Sequence, residues 1–243
     1  MTAPPQLPPV PHVTARRART VADAWYPVWE YELDHRRRDG VSQEMTLQVC
    51  HRTDSVAVLL YTTEPATVTL VRQFRLPPLL NGHANGLILE AAGGVIDGRP
   101  AAEAAVQEVL EETGYQLTEV EHVATVYPTP CLVTEKVHLF LADISAARRV
   151  TDGGGLLEEG EDIETIEFGL DEAVAMARRG DIVDVKTVLM LLTLHGRLRP
   201  SPEPGTCPEP ENGRRRPQAC RCGRLSAHRP AGQESQPEGE EVS

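Results

Sequence analysis

The stretch from Gly93 to Tyr115, GGVIDGRPAAEAAVQEVLEETGY, constrains this chain more than any other. Its second half predicts a helix. Pro100 presets the first turn, Glu103 sits where the helix dipole is positive, and Gly114 supplies a stop just past the last turn. At 3.6 residues per turn, Glu108 and Glu112 stand one above the other with Glu111 beside them. Like charges at this spacing cost a helix roughly 0.2–0.5 kcal/mol per pair. Three carboxylates on one face therefore call for a partner, and oxygen-rich clusters suit hard divalent cations. Taken alone, E-x-x-E-E is also an ordinary solvated acidic face, so the surrounding frame has to decide.

The rest of the chain supplies a sheet for that helix to cover. WYPVWEYELDH alternates as a strand up to the charged HRRRDG turn, and MTLQVC, SVAVLLYT and TVTLVRQF read as three more strands split by HRTD and TEPA. LILEAA leads into the acidic stretch, and YQLTEVEHVATVYPTP and EKVHLFLADI give two further strands. His138 on the second of these reads as a packed core histidine. TDGGGLLEEGEDIETIEF is a glycine-rich acidic loop running into a strand. LDEAVAMARRGDI is an amphipathic helix, and DVKTVLMLLTLHGRL a mostly apolar one. The expected class is α/β (α+β), a mixed β-sheet sandwiched between helices.

The ends differ from the middle. Residues 1–19, with MTAPPQLPPVP and ARRAR, read as a disordered leader, a P-x-x-P ligand being the alternative. Residues 20–199 form the expected domain. Residues 200–243 are rich in Pro, Gly and charge and read as a disordered tail, where Cys220, Cys222 and His228 lack the second ligand pair of a zinc site. A formal net charge of −12 argues against a nucleic-acid polymer as partner. There is no apolar run of about 18 residues for a membrane span and no signal-peptide order at the start. Five cysteines without framework spacing fit reduced thiols and a cytoplasmic location.

Gly93, Glu108, Val109, Glu111, Glu112, Gly114 and Tyr115 fall on the pattern G-x5-E-x7-R-E-U-x-E-E-x-G-U, where U is aliphatic or aromatic, and the stretch resembles the Nudix box. Arg99 stands where the box has its first Glu, and Gln107 where it has Arg. A glutamine can hydrogen-bond a carboxylate but brings no charge. Upstream, the strand VRQFR, a short loop and a strand carrying Glu90 resemble the ADP-ribose and nucleoside-diphosphate-sugar pyrophosphatase branch of the Nudix hydrolases. Asn81, Gly82 and Gly86 are spelled as in its GDP-mannose subgroup. Downstream, Glu161-Asp162-Ile163 resembles the end of that branch's glycine-rich acidic loop.

The resemblance implies a Nudix fold and Mg2+, with Mn2+ as the alternative, held by Glu108, Glu112, Glu161 and the carbonyl of Ala92. Setting the register from Glu90 instead gives Gly93. It assigns catalysis to Glu161 and Glu111, with Glu158 and Glu159 the near alternatives to Glu161 as base, and substrate contact to Arg75 and Arg72. The implied activity is cleavage of a nucleoside diphosphate linked to a sugar (ADP-ribose, GDP-mannose or UDP-glucose type), giving a nucleoside monophosphate and a sugar phosphate. The alternative is a module of the same fold that binds a nucleotide-sugar or a protein partner without cleaving. Relatives in this branch imply a homodimer that exchanges N-terminal strands such as WYPVWEYEL.

Overall fold

Strand β4 (Ser55–Thr63) is buried from Ser55 through Leu60, which is what a continuous apolar run requires when both faces of a sheet are covered. In the computed structural model, which describes residues 3–199, β4 lies at the centre of a six-stranded mixed sheet. On one side it pairs antiparallel with β5 (Ala66–Phe74), and β5 pairs with β11 (Glu164–Gly169) and β6 (Leu87–Glu90). On the other side it runs parallel to β9 (Val137–Asp143), which carries β8 (Glu121–Val126) antiparallel at the edge.

The two-residue period of β4 divides the core. Ala57 and Leu59 pack with Leu70, Leu139 and Leu141 under α3 (Leu170–Arg179) and α4 (Val185–Leu198), chiefly Leu170, Val174, Met190 and Leu194. Val56, Val58 and Leu60 face the other way, against Ala104, Ala105 and Val109 of α2 (Ala101–Thr113). The expected sandwich of a mixed sheet between helices is what forms. A pair of short strands, β7 (Tyr115–Gln116) with β10 (Arg148–Arg149), follows the end of α2, and a five-residue helix, α1 (Leu76–Leu80), follows β5. His138 is half-buried, its Nδ1 3.0 Å from the Thr125 hydroxyl.

Asp184 ties α4 to the sheet. As N-cap its Oδ2 accepts the Thr187 N–H at 2.9 Å and the Thr187 hydroxyl at 2.7 Å, while that hydroxyl accepts the Ala91 N–H at 2.7 Å. Asp184→Ala is expected to lower stability by about 1–2 kcal/mol, read as a lower urea midpoint with unchanged slope.

The N-terminal expectation needs correction. Of residues 1–19, assigned to a disordered leader, 13–19 lie in strand β1 (Val13–Ala22), which pairs antiparallel with β2 (Val28–Arg36), itself paired with β3 (Ser42–Cys50). The ARRAR run has no apolar period because charge pairing sets its register. Arg16 meets Glu44 at 2.7 Å and Asp34 at 3.6 Å, Arg17 meets Glu32, and Arg19 meets Glu30. Trp29, Tyr31 and Leu33 make a small core of their own on this sheet. Among the described residues no helix is long and apolar enough to cross a membrane. The expected tail, residues 200–243, lies outside the described residues.

Candidate active site

Helix α2 spends Ala104, Ala105 and Val109 on the core and carries Glu108, Glu111 and Glu112 to one end of the sheet, with Glu103 left in its first turn. Glu108 and Glu111 line a cleft of about 960 Å3, together with Arg75, Arg52, Asp97, Arg99, Glu158 and Glu161. Glu112 is 1% exposed, and its Oε2 accepts the Gly93 N–H at 2.9 Å. Gln107 donates from Nε2 to Oε1 of Glu111 at 2.5 Å, so this neutral side chain still orients a carboxylate of the cluster.

The glycine-rich loop is fastened to the same helix end. Gly154 and Gly155 donate their N–H groups to the main-chain carbonyls of Glu112 (2.9 Å) and Glu111 (3.0 Å), groups that a helix terminus leaves unsatisfied. Gly153, Gly154 and Gly155 have φ of 67°, 103° and 79°, a run that side chains would strain. From this platform the chain returns through Glu161, whose Oε2 accepts the Leu156 N–H at 2.9 Å.

The carbonyl expected from Ala92 is already in use. Ala92 lies in a bridge to β4, and its carbonyl accepts the Val58 N–H at 2.7 Å. The Gly94 carbonyl likewise accepts the Val56 N–H at 2.9 Å. Gly93, between them, turns its N–H toward Glu112, and among the described residues no backbone hydrogen bond ends on its carbonyl. Because main-chain groups alternate along an extended segment, the carbonyl available on the glutamate side is that of Gly93. A Cβ at Gly93 would collide with the Val56 carbonyl, and one at Gly94 with the Glu108 carboxylate.

Arg75 enters the cleft held by Glu90, with Nε to Oε1 at 3.0 Å and Nη2 to Oε2 at 2.9 Å. Arg72, expected beside it, is instead paired with Glu164 across the β5–β11 ladder and is not among the residues that line the cleft. Sequence reasoning passed over Arg52, which followed a strand in an HRTD segment that looked like plain turn chemistry. Its guanidinium lies over the Tyr26 ring (5.6 Å to the centroid), meets the buried Glu135 at 3.5 Å, and has a buried Nε without a hydrogen-bond partner among the described residues. Ser55 donates to Glu135 at 2.6 Å. Arg52, Arg75, Tyr26, Gly93 and Gly94 also border an adjoining space of about 750 Å3 that reaches Lys186 and Asp184. The two spaces together suit an elongated ligand with an anionic middle.

Residues 51–189 match the NUDIX domain. The chain belongs to the Nudix family. It is 38% identical over 173 residues to the GDP-mannose pyrophosphatase of Pectobacterium atrosepticum, covering 71% of this chain and 89% of the relative. The protein of the same name from Citrobacter koseri is 36% identical over 183 residues, covering 75% and 95%. The crystal structure of an ADP compounds hydrolase shares the fold with a TM-score of 0.60 at 18% identity, over 79% of this chain and 97% of that one. Nudix hydrolases act with divalent metal ions.

The Nudix box glutamates fit such an ion. Burial pushes the Glu112 carboxyl up from its ordinary value of 4.5 to about 8, and the charges of Glu108 and Glu161 add to the rise, while the Gly93 N–H and Arg75 oppose it. A buried carboxylate crowded by two others is what a cation relieves. Among the described residues no three His, Cys, Asp or Glu side chains converge closely enough to hold an ion unaided. The shell of an ion there would be completed by the Gly93 carbonyl, by water and by oxygens of a ligand, as hard divalent cations allow.

Proposed function

We propose that the protein hydrolyses the diphosphate bond of a nucleoside diphosphate joined to a sugar, with GDP-mannose the first candidate, releasing a nucleoside monophosphate and a sugar phosphate. The observation that carries this reading is Glu112, buried among like charges behind Glu108 and Glu111, which line a cleft together with Arg52 and Arg75. The curated relatives named GDP-mannose pyrophosphatase support the choice of first substrate.

In this reading Glu108, Glu112 and the Gly93 carbonyl, with Glu161, would hold Mg2+ (or Mn2+), which when bound would neutralise phosphate oxygens and lower the pKa of water. Glu161 takes the proton of the attacking water, with the main-chain anchorage of its loop keeping it in reach. Glu111, oriented by Gln107, is the second carboxylate able to accept that proton. Arg75, preset by Glu90, presents its remaining donors to the diphosphate, and Arg52 does so from the other border of the cleft. Trp25 and Tyr26 offer flat faces at the cleft for a nucleobase.

The alternative, a Nudix-fold module that binds without cleaving, is favoured by the two departures in the box. Gln107 weakens that case, since it still holds Glu111. The deciding experiment measures nucleoside monophosphate released from GDP-mannose, ADP-ribose and UDP-glucose with Mg2+, with Mn2+ and with chelator. Cleavage of one substrate that stops in chelator is the expected result, whereas binding of one without cleavage by either ion would establish the non-catalytic module. A homodimer joined through the β1–β3 sheet belongs to the same reading, supported by that sheet's separate small core, and sedimentation of the full chain tests it. A cytoplasmic location belongs to the same reading, supported by the free thiols of Cys50 and Cys131.

A further inference from the structure

The three arginines of the main cleft are in different states. Arg75 is gripped by Glu90 through paired hydrogen bonds, and Arg52 leans on Glu135 at 3.5 Å. Arg99 is exposed and, among the described residues, makes no ion pair, although Asp97 and four glutamates line the same cleft. It also immediately precedes Pro100, the N-cap of α2, where the helix dipole is positive and a cation is disfavoured. Neither the helix nor a salt bridge accounts for an arginine here.

The box pattern puts its cation on the helix, at the position of Gln107, and an acid at the position of Arg99. In this chain the helix carries a neutral amide that keeps its hold on Glu111, while the positive charge stands on the preceding loop and faces the cleft. We infer that Arg99 is a substrate-binding residue that takes a phosphate oxygen of the nucleoside diphosphate, approaching from the box loop while Arg52 and Arg75 approach from the opening of β4 and the end of β5. A planar guanidinium without a carboxylate partner is free to make paired hydrogen bonds to a phosphate, and adds attraction that grows with the charge of the ligand. The consequence is selectivity: Arg99 favours a diphosphate over the monophosphate product and so helps the product to leave.

The inference rests on the reading of this cleft as a nucleotide-sugar site, and the test separates the two. Dissociation constants for GDP and GMP are measured with Mg2+ by titration calorimetry for the parent protein and for Arg99→Ala, Arg99→Lys and Arg99→Glu. KM and kcat for GDP-mannose and urea midpoints are measured on the same proteins. Expected are a roughly ten- to hundredfold loss of GDP affinity in Arg99→Ala, a smaller loss for GMP, and partial recovery in Arg99→Lys. KM should rise far more than kcat falls, and the urea midpoint should be no lower. Equal GDP affinity in the parent, Arg99→Ala and Arg99→Glu would overturn the inference. If the parent cleaves no nucleotide-sugar while its GDP affinity still depends on residue 99, the catalytic reading fails and the Arg99 assignment holds.

Discussion

Glu112→Gln is expected to lower turnover by roughly two orders of magnitude or more while making the metal-free protein more stable at pH 8. The loss of activity follows from removing a charge that draws a cation into the site. The gain in stability follows from the same burial. Glu112 has a folded-state pKa of about 8 against an ordinary 4.5, so the folded chain binds a proton that the unfolded chain releases. That contribution is fully present below about pH 4.5 and is lost as pH rises through about 8. At ~1.4 kcal/mol per pKa unit the loss amounts to a few kcal/mol. The glutamine does not titrate, so in chelator the variant's urea midpoint should exceed the parent's at pH 8, with the gap closing toward pH 4.5. Saturating Mg2+ should stabilise the parent far more than the variant. A metal-free parent whose midpoint is flat across this range would show that Glu112 is not held out of water.

Gly93→Ala is expected to damage both the fold and the site through the addition of a single methyl group. The new Cβ would meet the Val56 carbonyl and approach the Ala57 Cα at 2.8 Å, and these are main-chain atoms of the central strand that no rotamer change can move. Relief requires parting the segment from β4 and breaking the Val56 N–H to Gly94 and Val58 N–H to Ala92 hydrogen bonds. Overpacking of this kind costs about 3 kcal/mol. It also pulls the Gly93 N–H from Glu112, so metal affinity should fall with stability, whereas Asp184→Ala should reduce stability alone. Urea unfolding together with Mn2+ titration distinguishes these outcomes.

Much of the domain was legible because its elements follow simple periods. The SVAVLL run announced a strand buried on both faces, and the span from Pro100 to Gly114 bounded a helix whose C-cap glycine has φ of 77°. The box glutamates were readable because their spacing on a helix fixes their relation to one another. Features that depend on partners distant in sequence were not readable. Strand β1 looked like a basic leader because its register comes from acids on β2 and β3. Arg72 and Arg75 are equivalent in the sequence, and only the positions of Glu164 and Glu90 send one to the sheet ladder and the other to the cleft. The choice between Ala92 and Gly93 turns on which carbonyl β4 consumes, a fact that exists only once the strands have met.

The fastening of the glycine-rich loop to α2 bears on how such a site can change over evolutionary time. The tether runs through the amides of Gly154 and Gly155 and the carbonyls of Glu111 and Glu112, so it ignores the side chains beyond Gly155. The side chains at 157 and 158 are therefore open to substitution without touching the Gly154 and Gly155 amides that root the loop or the Leu156 N–H that holds Glu161. A lineage could rework the reach of its loop, and hence the ligands it closes over, while the glutamates at the helix end keep their spacing.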